Sequence, residues 1–434
     1  MKSFVVGILV FLFTLNLNAQ IISGPMLGYN TMREVLVWVQ IEKEAEVVMT
    51  YNSVESDKLG EKTVRYKTNN ESANTARLIA TDLEPGTTYN YSISIGGEET
   101  ILAKGEFTTQ ELWQHRKDPP NFSFATGSCA YTNEPNYDRP GEGYGKSTEV
   151  YETIAQMNPD LMLWLGDNIY LREPDWTSNT GINHRYTHFK SLPEIQNLWK
   201  SCHHYAIWDD HDFGPNDADR SFINKNLTIA AFQNFWGNPS YGLEENAGIT
   251  SQFKYNDAEF FLLDNRYFRS PNERKTGKRE ILGSKQIEWL IDALLNSSAS
   301  FKFVAIGGQF LSPAAVYENH ATYPEERKLI IDLIDQEGIK NVVFLTGDRH
   351  KTELSKLETK SGIIIYDYTT SPLASTAYNT SDEGNTLRVK GTHVDTQNFG
   401  LLYLSGALKE RVLSIKTFDT KGKLIWDQEI ERQY

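Results

Sequence analysis

The sequence predicts an α+β fold: an all-β unit in front of a larger domain in which short apolar strands alternate with helices. Three observations predict it. From Ile21 to about Thr109 the chain is built of β-branched and aromatic runs, the composition and patterning of strands. After residue 121 it changes to short apolar runs separated by helical stretches, as α/β or mixed sheets require. Between the two, Asp118-Pro119-Pro120 breaks both patterns, because proline restricts itself and the residue before it. Units 20–110 and 121–434, joined by a linker at 111–120, follow from this reading. The length of 434 residues suits two or three domains at about 150 residues each.

Composition narrows the class. At 39% hydrophobic and 23% charged residues the chain reads as globular. Its 57 acids outnumber 43 Lys and Arg, for a formal net charge of −14. A surface of that sign lacks the basic footprint that nucleic-acid backbones require, and it repels small anions unless something local reverses it. Met1-Lys2-Ser3, the apolar run Phe4 to Leu17 and Asn18-Ala19-Gln20 have the three-part form of a secretory signal peptide over residues 1–19. The expectation is export, to a periplasm or the extracellular space, with no later segment apolar enough to span a bilayer. No Arg-Arg pair precedes the apolar run and no cysteine follows the cut, so export is read as unfolded and without a lipid anchor.

In the front unit Val35 to Val39, Ala45 to Met49 and Thr88 to Ile95 read as strands, the last alternating with period two. Leu83-Glu84-Pro85-Gly86 sets a turn ahead of Tyr89 at a strand start, the place of the tyrosine corner in immunoglobulin-like sandwiches. This unit resembles a fibronectin type III module. Beyond the linker, helices are predicted over Ser147–Met157, Phe222–Phe235, Ser284–Asn296 and Glu325–Gln336. Leu171 to Leu192, rich in Asn, Thr, His and Arg, reads as an insertion over the site. From Ile363 to Trp426 the chain is again strand-rich.

The informative strands are those with chemistry at their ends. Phe122–Thr126 runs into Gly127-Ser128-Cys129-Ala130, and Leu161–Leu165 into Gly166-Asp167-Asn168-Ile169-Tyr170. Tyr205–Trp208 ends in Asp209-Asp210-His211-Asp212, Phe303–Ile306 in Gly307-Gly308-Gln309, and Val342–Leu345 in Thr346-Gly347-Asp348-Arg349-His350. One acid after a strand is most often a cap or turn residue. Five buried strands that all finish in a metal-ligand residue or a tight glycine turn are hard to obtain by capping alone. Loops on the ends of rigid strands can converge although they are far apart in sequence.

With these motifs, residues 121–434 look like a calcineurin-like metallophosphoesterase domain and resemble the PhoD-like alkaline phosphatase and phosphodiesterase family. The Gly127 to Ala130 turn matches the family's first motif, and the front β-sandwich is similar to the family's N-terminal domain. The resemblance implies a four-layer α-β-β-α core with metal ions at the strand ends. Cys129, Asp167, Tyr170 and His350 form a mixed N/O/S set, and a phenolate favours Fe³⁺. Asp167, Asp210 and Asp348, with Asn216, make an oxygen-rich neighbour suited to Ca²⁺, with Mn²⁺, Mg²⁺ or Zn²⁺ as alternatives at the pair. Asp167 would bridge the two. Ions about 4 Å apart hold a hydroxide in line with phosphorus and clamp the developing charge. The implied activity is therefore hydrolysis of phosphate mono- or diesters.

Asp210 and His211 are the expected catalytic pair, His211 as acid or hydrogen-bond donor to the ester. Arg349 and Arg266 are the candidate substrate contacts; for Arg349 and its neighbour Lys351 a solvated surface face is the alternative to phosphate. The segment Leu263-Asp264-Asn265-Arg266 with Arg269 also reads as a buried ion pair that props the site. Trp164, Trp208 and Phe310 read either as lining the mouth of the site or, more commonly for aromatics in apolar strands, as core, and His184, His188, His203, His204 and His320 as ordinary surface or core residues.

Two cysteines leave two readings. An exported protein would pair Cys129 with Cys202, whereas the resemblance makes Cys129 a ligand, the reading adopted. Two rival functions also stand: a phospholipase-like phosphodiesterase, and a cell-surface binding protein whose large domain is inactive. Rates on p-nitrophenyl phosphate and its bis ester separate the first, and indifference to Asp210→Asn would reveal the second.

Overall fold

A computed structural model describes residues 20–55, 60–97, 100–244 and 247–434, so the expected signal peptide over 1–19 lies outside the described residues. Seven strands come before the linker: β1 (Ile21–Asn30), β2 (Val35–Ile41), β3 (Glu46–Ser53), β4 (Lys62–Lys67), β5 (Thr75–Ala80), β6 (Thr88–Ile95) and β7 (Ile101–Thr108). β2 is buried at every position, which its unbroken Val/Leu/Trp run fits. β4 alternates half-buried and exposed residues at a sheet edge. Strands β4-β3-β6-β7 form one sheet, and Met49, Tyr51, Ile93 and Phe107 on it share a core with Leu27, Val37 and Leu78 of β1, β2 and β5. The Glu84 N–H donates to the Tyr89 hydroxyl at 2.8 Å, which pins the turn into β6.

Next come β8 (Phe122–Gly127), α1 (Glu149–Met157), β9 (Leu161–Leu165), α2 (Asn179–Lys190), α3 (Gln196–Ser201), β10 (His203–Ile207), α4 (Asp210–Phe213) and α5 (Lys225–Phe235). β11 (Ser251–Tyr255), β12 (Ala258–Leu262), α6 (Ser284–Asn296), β13 (Phe301–Ile306), α7 (Pro324–Gln336) and β14 (Val342–Thr346) follow. The chain ends with β15 (Glu353–Glu358), β16 (Ile364–Thr369), β17 (Asn398–Ser405), β18 (Val412–Asp419) and β19 (Leu424–Glu431). A nine-stranded sheet has the order β19-β18-β17-β8-β9-β10-β1-β2-β5, and a six-stranded sheet the order β11-β12-β13-β14-β16-β15. The two sheets meet through aromatic rings: Phe124 stands edge-on to Phe260 and Phe303, with centroids 5.2 and 4.9 Å away. Tyr205 stacks on Phe253 at 3.7 Å. Outside the large sheet, Trp164 packs on Tyr151 of α1 and Trp199 of α3. Outside the other, Leu290, Leu294, Ile330 and Ile334 of α6 and α7 cover Phe261, Val304 and Phe344.

The large sheet crosses the boundary that the sequence suggests at 111–120, because β1 pairs in parallel with β10 at Leu27 and His203. Trp38 of β2 also donates its indole N–H to the Asn234 carbonyl at 2.7 Å. β8, β9 and β10 are mutually parallel, as are β12, β13, β14 and β16. Their carboxyl ends therefore open on one edge, where α/β sheets place their ligands.

One expectation is corrected in part: of residues 171–192 only Arg172 lines the cleft at this edge. Residues 171–192 contain α2, whose Ile182, Tyr186 and Phe189 are buried at the i, i+4, i+7 spacing of a helix face. Asn179 and Asn183 donate to the Glu71 carbonyl at 2.7 and 3.0 Å, so the helix packs beside the front sandwich and does not cover the site. No helix among the described residues is long and apolar enough to cross a membrane.

Candidate active site

The site begins with backbone conformation. Cys129, Asp167, Asp348 and His350 all stand at positive φ, at 58°, 51°, 66° and 49°. Left-handed backbone at a non-glycine residue costs on the order of 1–3 kcal/mol and persists where surrounding structure enforces it. The enforcement comes from close loop packing. A Cβ on Gly166, at φ +88°, would stand 2.8 Å from the Asp209 nitrogen, and one on Gly347 2.6 Å from the Ser128 Cβ. Glycine lets the turns after β8, β9, β10 and β14 touch, and their side chains converge in consequence.

Donor atoms of Cys129, Asp167 and His350 all lie within 4.8 Å of one another. The Tyr170 hydroxyl donates to Asp167 Oδ2 at 3.2 Å and stands 3.5 Å from His350 Nε2. Thr376 fixes the imidazole: its carbonyl accepts from His350 Nδ1, which leaves Nε2 directed at the cluster. The Cys129 thiol sits 3.6 Å from Asp167 Oδ2 and accepts from Ser371 Oγ at 3.2 Å. Burial, and then the charge of Asp348, push this thiol up to about 12. Cys129 follows the carboxyl end of β8 while Cys202 precedes the amino end of β10, and β8 and β10 both run parallel to β9. Both thiols are free. A bridge spans only about 4.4–6.8 Å between Cα atoms, so the disulfide reading fails on topology.

A second group joins Asp167, Asp210 and His211, again within 4.8 Å. The Asp217 N–H donates to Asp210 Oδ2 at 2.7 Å. Burial first, then the charges of Asp210 and Cys129, raise Asp167 well above the usual carboxylate range. Burial and Asp209 likewise lift Asp348 to about 7. Acids so placed are short of positive charge, and one or more cations would relieve them. The donor set therefore fits metal ions.

Two acids of the motif serve the scaffold. Asp209 and Asp212 form a reciprocal cap on α4, and Asp212 also accepts from the Asn168 N–H at 3.1 Å, tying the β9 turn to the β10 turn. Arg266 is wholly buried. Its guanidinium bonds Asp209 and reaches Glu318 Oε2 at 2.5 Å, and Arg269 holds Glu318 Oε1 at 2.8 Å. The expectation that Arg266 contacts substrate is thereby corrected, since Asp209 and Glu318 occupy it behind the site. Lys351 is also wholly buried, held between Glu383 and Glu353, so neither of its expected places, on phosphate or in solvent, is found.

Asp167, Tyr170, Asp210, His211, Asp348 and His350 line one cleft of about 700 Å³. The Tyr170 and His211 rings lie 4.3 Å apart. His211 Nδ1 is buried without a partner, and burial, against the pull of Asp210, lowers the imidazole to about 4. Asn216 lines the cleft with an exposed side chain. Arg349 lines it too, bonded to Glu383 at 2.5 Å and laid over the Tyr317 ring at 4.4 Å. Trp164, Trp208 and Phe310 are fully buried. His203, His204 and His320 are buried away from the cleft, while His184 and His188 bond Glu134 and the Asn133 carbonyl. Sequence reasoning missed Glu318 and Arg172, both on the cleft wall. Arg172 follows Tyr170 by two positions and was within reach of a motif reading; Glu318 stands in a loop with no pattern around it.

A buried thiol and phenol, with half-buried imidazoles and a set of carboxylates, gathered where two sheets open on one edge, define a candidate metal-dependent hydrolase centre. The chain belongs to the PhoD-like phosphatase family, whose model matches residues 124–409. A domain of unknown function (DUF7800) matches residues 18–112. Over 335 residues the chain is 24% identical to alkaline phosphatase D of Bacillus subtilis (strain 168), a match that spans 66% of this chain and 54% of the relative. A solved structure of PhoD superposes with a TM-score of 0.74 at 17% identity, covering 96% of this chain and 92% of that one. A purple acid phosphatase from yellow lupin (Lupinus luteus) seeds gives 0.71 at 12% identity, covering 97% and 76%. At these identities the two structures speak for the fold.

Proposed function

We propose that this protein is an exported, metal-dependent phosphohydrolase that cleaves phosphomonoesters or phosphodiesters. The observation that carries the reading is the meeting of Cys129, Asp167 and His350 donors within 4.8 Å on strained backbone. Cys129, Asp167, Tyr170 and His350 would hold one cation, assigned to Fe³⁺ for its thiol and phenol, and Asp167, Asp210, Asp348 and Asn216 a second, assigned to Ca²⁺. When bound, such ions lower the pKa of water and screen the charge on phosphoryl oxygens. The export reading rests on residues 1–19, and the front sandwich is read as a fibronectin III-like module fused to the catalytic core.

The protein's own residues supply the rest. His211 presents a ring nitrogen to the cleft. Burial keeps its imidazole neutral above about pH 4, so at neutral to alkaline pH it donates a hydrogen bond to the ester oxygen and does not act as a strong acid. Arg349, held over Tyr317 by Glu383, orients the phosphate. Asp209, Arg266 and Glu318 keep Asp210 in place from behind. Elemental analysis of the purified protein, beside hydrolysis of p-nitrophenyl phosphate and its bis ester before and after chelation, tests this. Activity should vanish with the metals and return on reloading. Full-rate hydrolysis by metal-free protein would overturn the mechanism.

A further inference from the structure

Six arginines of the described chain are buried: Arg172, Arg185, Arg266, Arg269, Arg349 and Arg411. Five of them pair with a carboxylate: Arg185 with Asp175, Arg266 and Arg269 with Glu318, Arg349 with Glu383 and Arg411 with Asp257. Arg172 is the exception. It is 4% exposed, and among the described residues no carboxylate pairs with its guanidinium. A buried guanidinium ordinarily needs a counter-charge.

Arg172 is nevertheless held in place. Its Nε and Nη2 both donate to the Tyr131 hydroxyl, at 3.1 and 2.7 Å, and that hydroxyl in turn donates a hydrogen bond to Asp138 Oδ1 at 2.8 Å. The guanidinium carbon lies 4.8 Å from the Tyr131 ring and 5.8 Å from the rings of Tyr144 and Tyr170. That tyrosine cage leaves Nη1 as the unengaged arm. Arg172 lines the cleft, and Tyr170, which it touches, belongs to the ligand set and stacks beside His211.

Such a group awaits an anion. A phosphodiester has two non-bridging oxygens and one negative charge. A phosphomonoester has a third non-bridging oxygen and a second charge. We propose that Arg172 binds the third non-bridging oxygen of a phosphomonoester, so that this site selects dianionic monoesters over diesters; the proposal rests on the phosphohydrolase reading above. A diester sets an alkoxy carbon against the guanidinium and leaves Nη1 unsatisfied, and a site built to bond a group rejects the analogue that lacks it.

The test uses the metal-loaded full chain as wild type, Arg172→Met and Arg172→Lys. kcat/KM is measured on p-nitrophenyl phosphate and bis-p-nitrophenyl phosphate, with calorimetric titration by inorganic phosphate, methyl phosphate and dimethyl phosphate. The wild type should prefer the monoester and bind methyl phosphate well above dimethyl phosphate. Arg172→Met should lower the monoester kcat/KM by about 100-fold, the loss expected for one donor to a charged oxygen, while the diester changes by about 3-fold or less. Arg172→Lys should recover part of the loss, having the charge without the planar fork. Equal losses on both esters, or equal wild-type affinity for methyl and dimethyl phosphate, would overturn the assignment to Arg172 while leaving the hydrolase standing. A metal-loaded wild type inactive on both esters would overturn the hydrolase reading itself.

Discussion

Histidine and cysteine occur at the amino end of β10 and beyond the carboxyl ends of β8, β10 and β14, and the two ends use them oppositely. At the amino end, His203 Nδ1 donates to the Gly28 carbonyl at 2.8 Å while Nε2 accepts from the Asn30 amide at 2.9 Å. His204 Nε2 donates to the Leu198 carbonyl at 2.9 Å while Nδ1 accepts from the Trp164 indole at 3.1 Å. Each ring there is neutral and fully occupied, and Cys202 lies against the same carbonyl. At the carboxyl end, His350 Nε2 meets the Tyr170 hydroxyl at 3.5 Å, His211 Nδ1 has no partner, and Cys129 adjoins Asp167. Residue type does not separate a structural end from a reactive one. What separates them is whether polar atoms meet partners or one another.

The largest way to break this comparison is to remove the acid shared by both ligand groups. Asp167→Asn should retain the fold, lose bound metal by elemental analysis and lower kcat/KM by more than about 10³-fold, in line with loss of metal-borne charge stabilisation. A variant within tenfold of wild type would mean that the reacting centre lies elsewhere. Next in size is a prop. Arg266→Met leaves Asp209 buried without its cation and Glu318 with Arg269 alone, which should cost about 3–4 kcal/mol of unfolding free energy. Denaturant unfolding reads it, and a loss below about 1 kcal/mol would show that the acids neutralise themselves by binding protons.

These effects also mark how far sequence reaches. The strand-end motifs were legible because each is local: a buried run followed at once by a glycine turn, a candidate ligand or both. The predicted helix over Ser284–Asn296 is found with the same bounds, and strands Leu161–Leu165 and Thr88–Ile95 likewise. The Arg266 ion pair was legible as a type of contact, but its partners were not, since Glu318 stands 52 residues away across two elements. Helix α2 was hidden because Asn, Thr, His and Arg mask a three-residue apolar face. The β1–β10 pairing was hidden because a single parallel contact between distant segments has no composition. Arg172 was in view beside Tyr170, yet the feature that singles it out is a missing partner, which only packing can reveal.

A smaller effect sharpens the reactive end. His211→Asn preserves a hydrogen-bond donor of similar reach but changes its position and acidity, and kcat should fall about 100-fold. The loss should be greater for methyl than for p-nitrophenyl esters, because a poor leaving group depends more on the donor. An equal loss for both would assign His211 to binding the phosphate and not to assisting departure.

The smallest effect tests the quiet end. Burial lowers His203 to about 4 and His204 to about 3, and the ring contacts explain why: a second N–H on either ring would point at an amide or indole donor. Both folded values lie below the unfolded value of about 6.5, so the unfolded chain binds more protons across that window. Their contribution to stability is complete above about pH 6.5 and is lost as pH falls towards 4. Between pH 7 and pH 5 each ring should remove about 2 kcal/mol of unfolding free energy. His204→Phe tests this by slope and not by level: the variant is less stable at pH 7 because Leu198 and Trp164 lose their partner, yet its acid limb should be shallower by that amount. An unchanged limb would mean that His204 accepts a proton in the folded protein, and that the two ends of β10 differ less than their contacts imply.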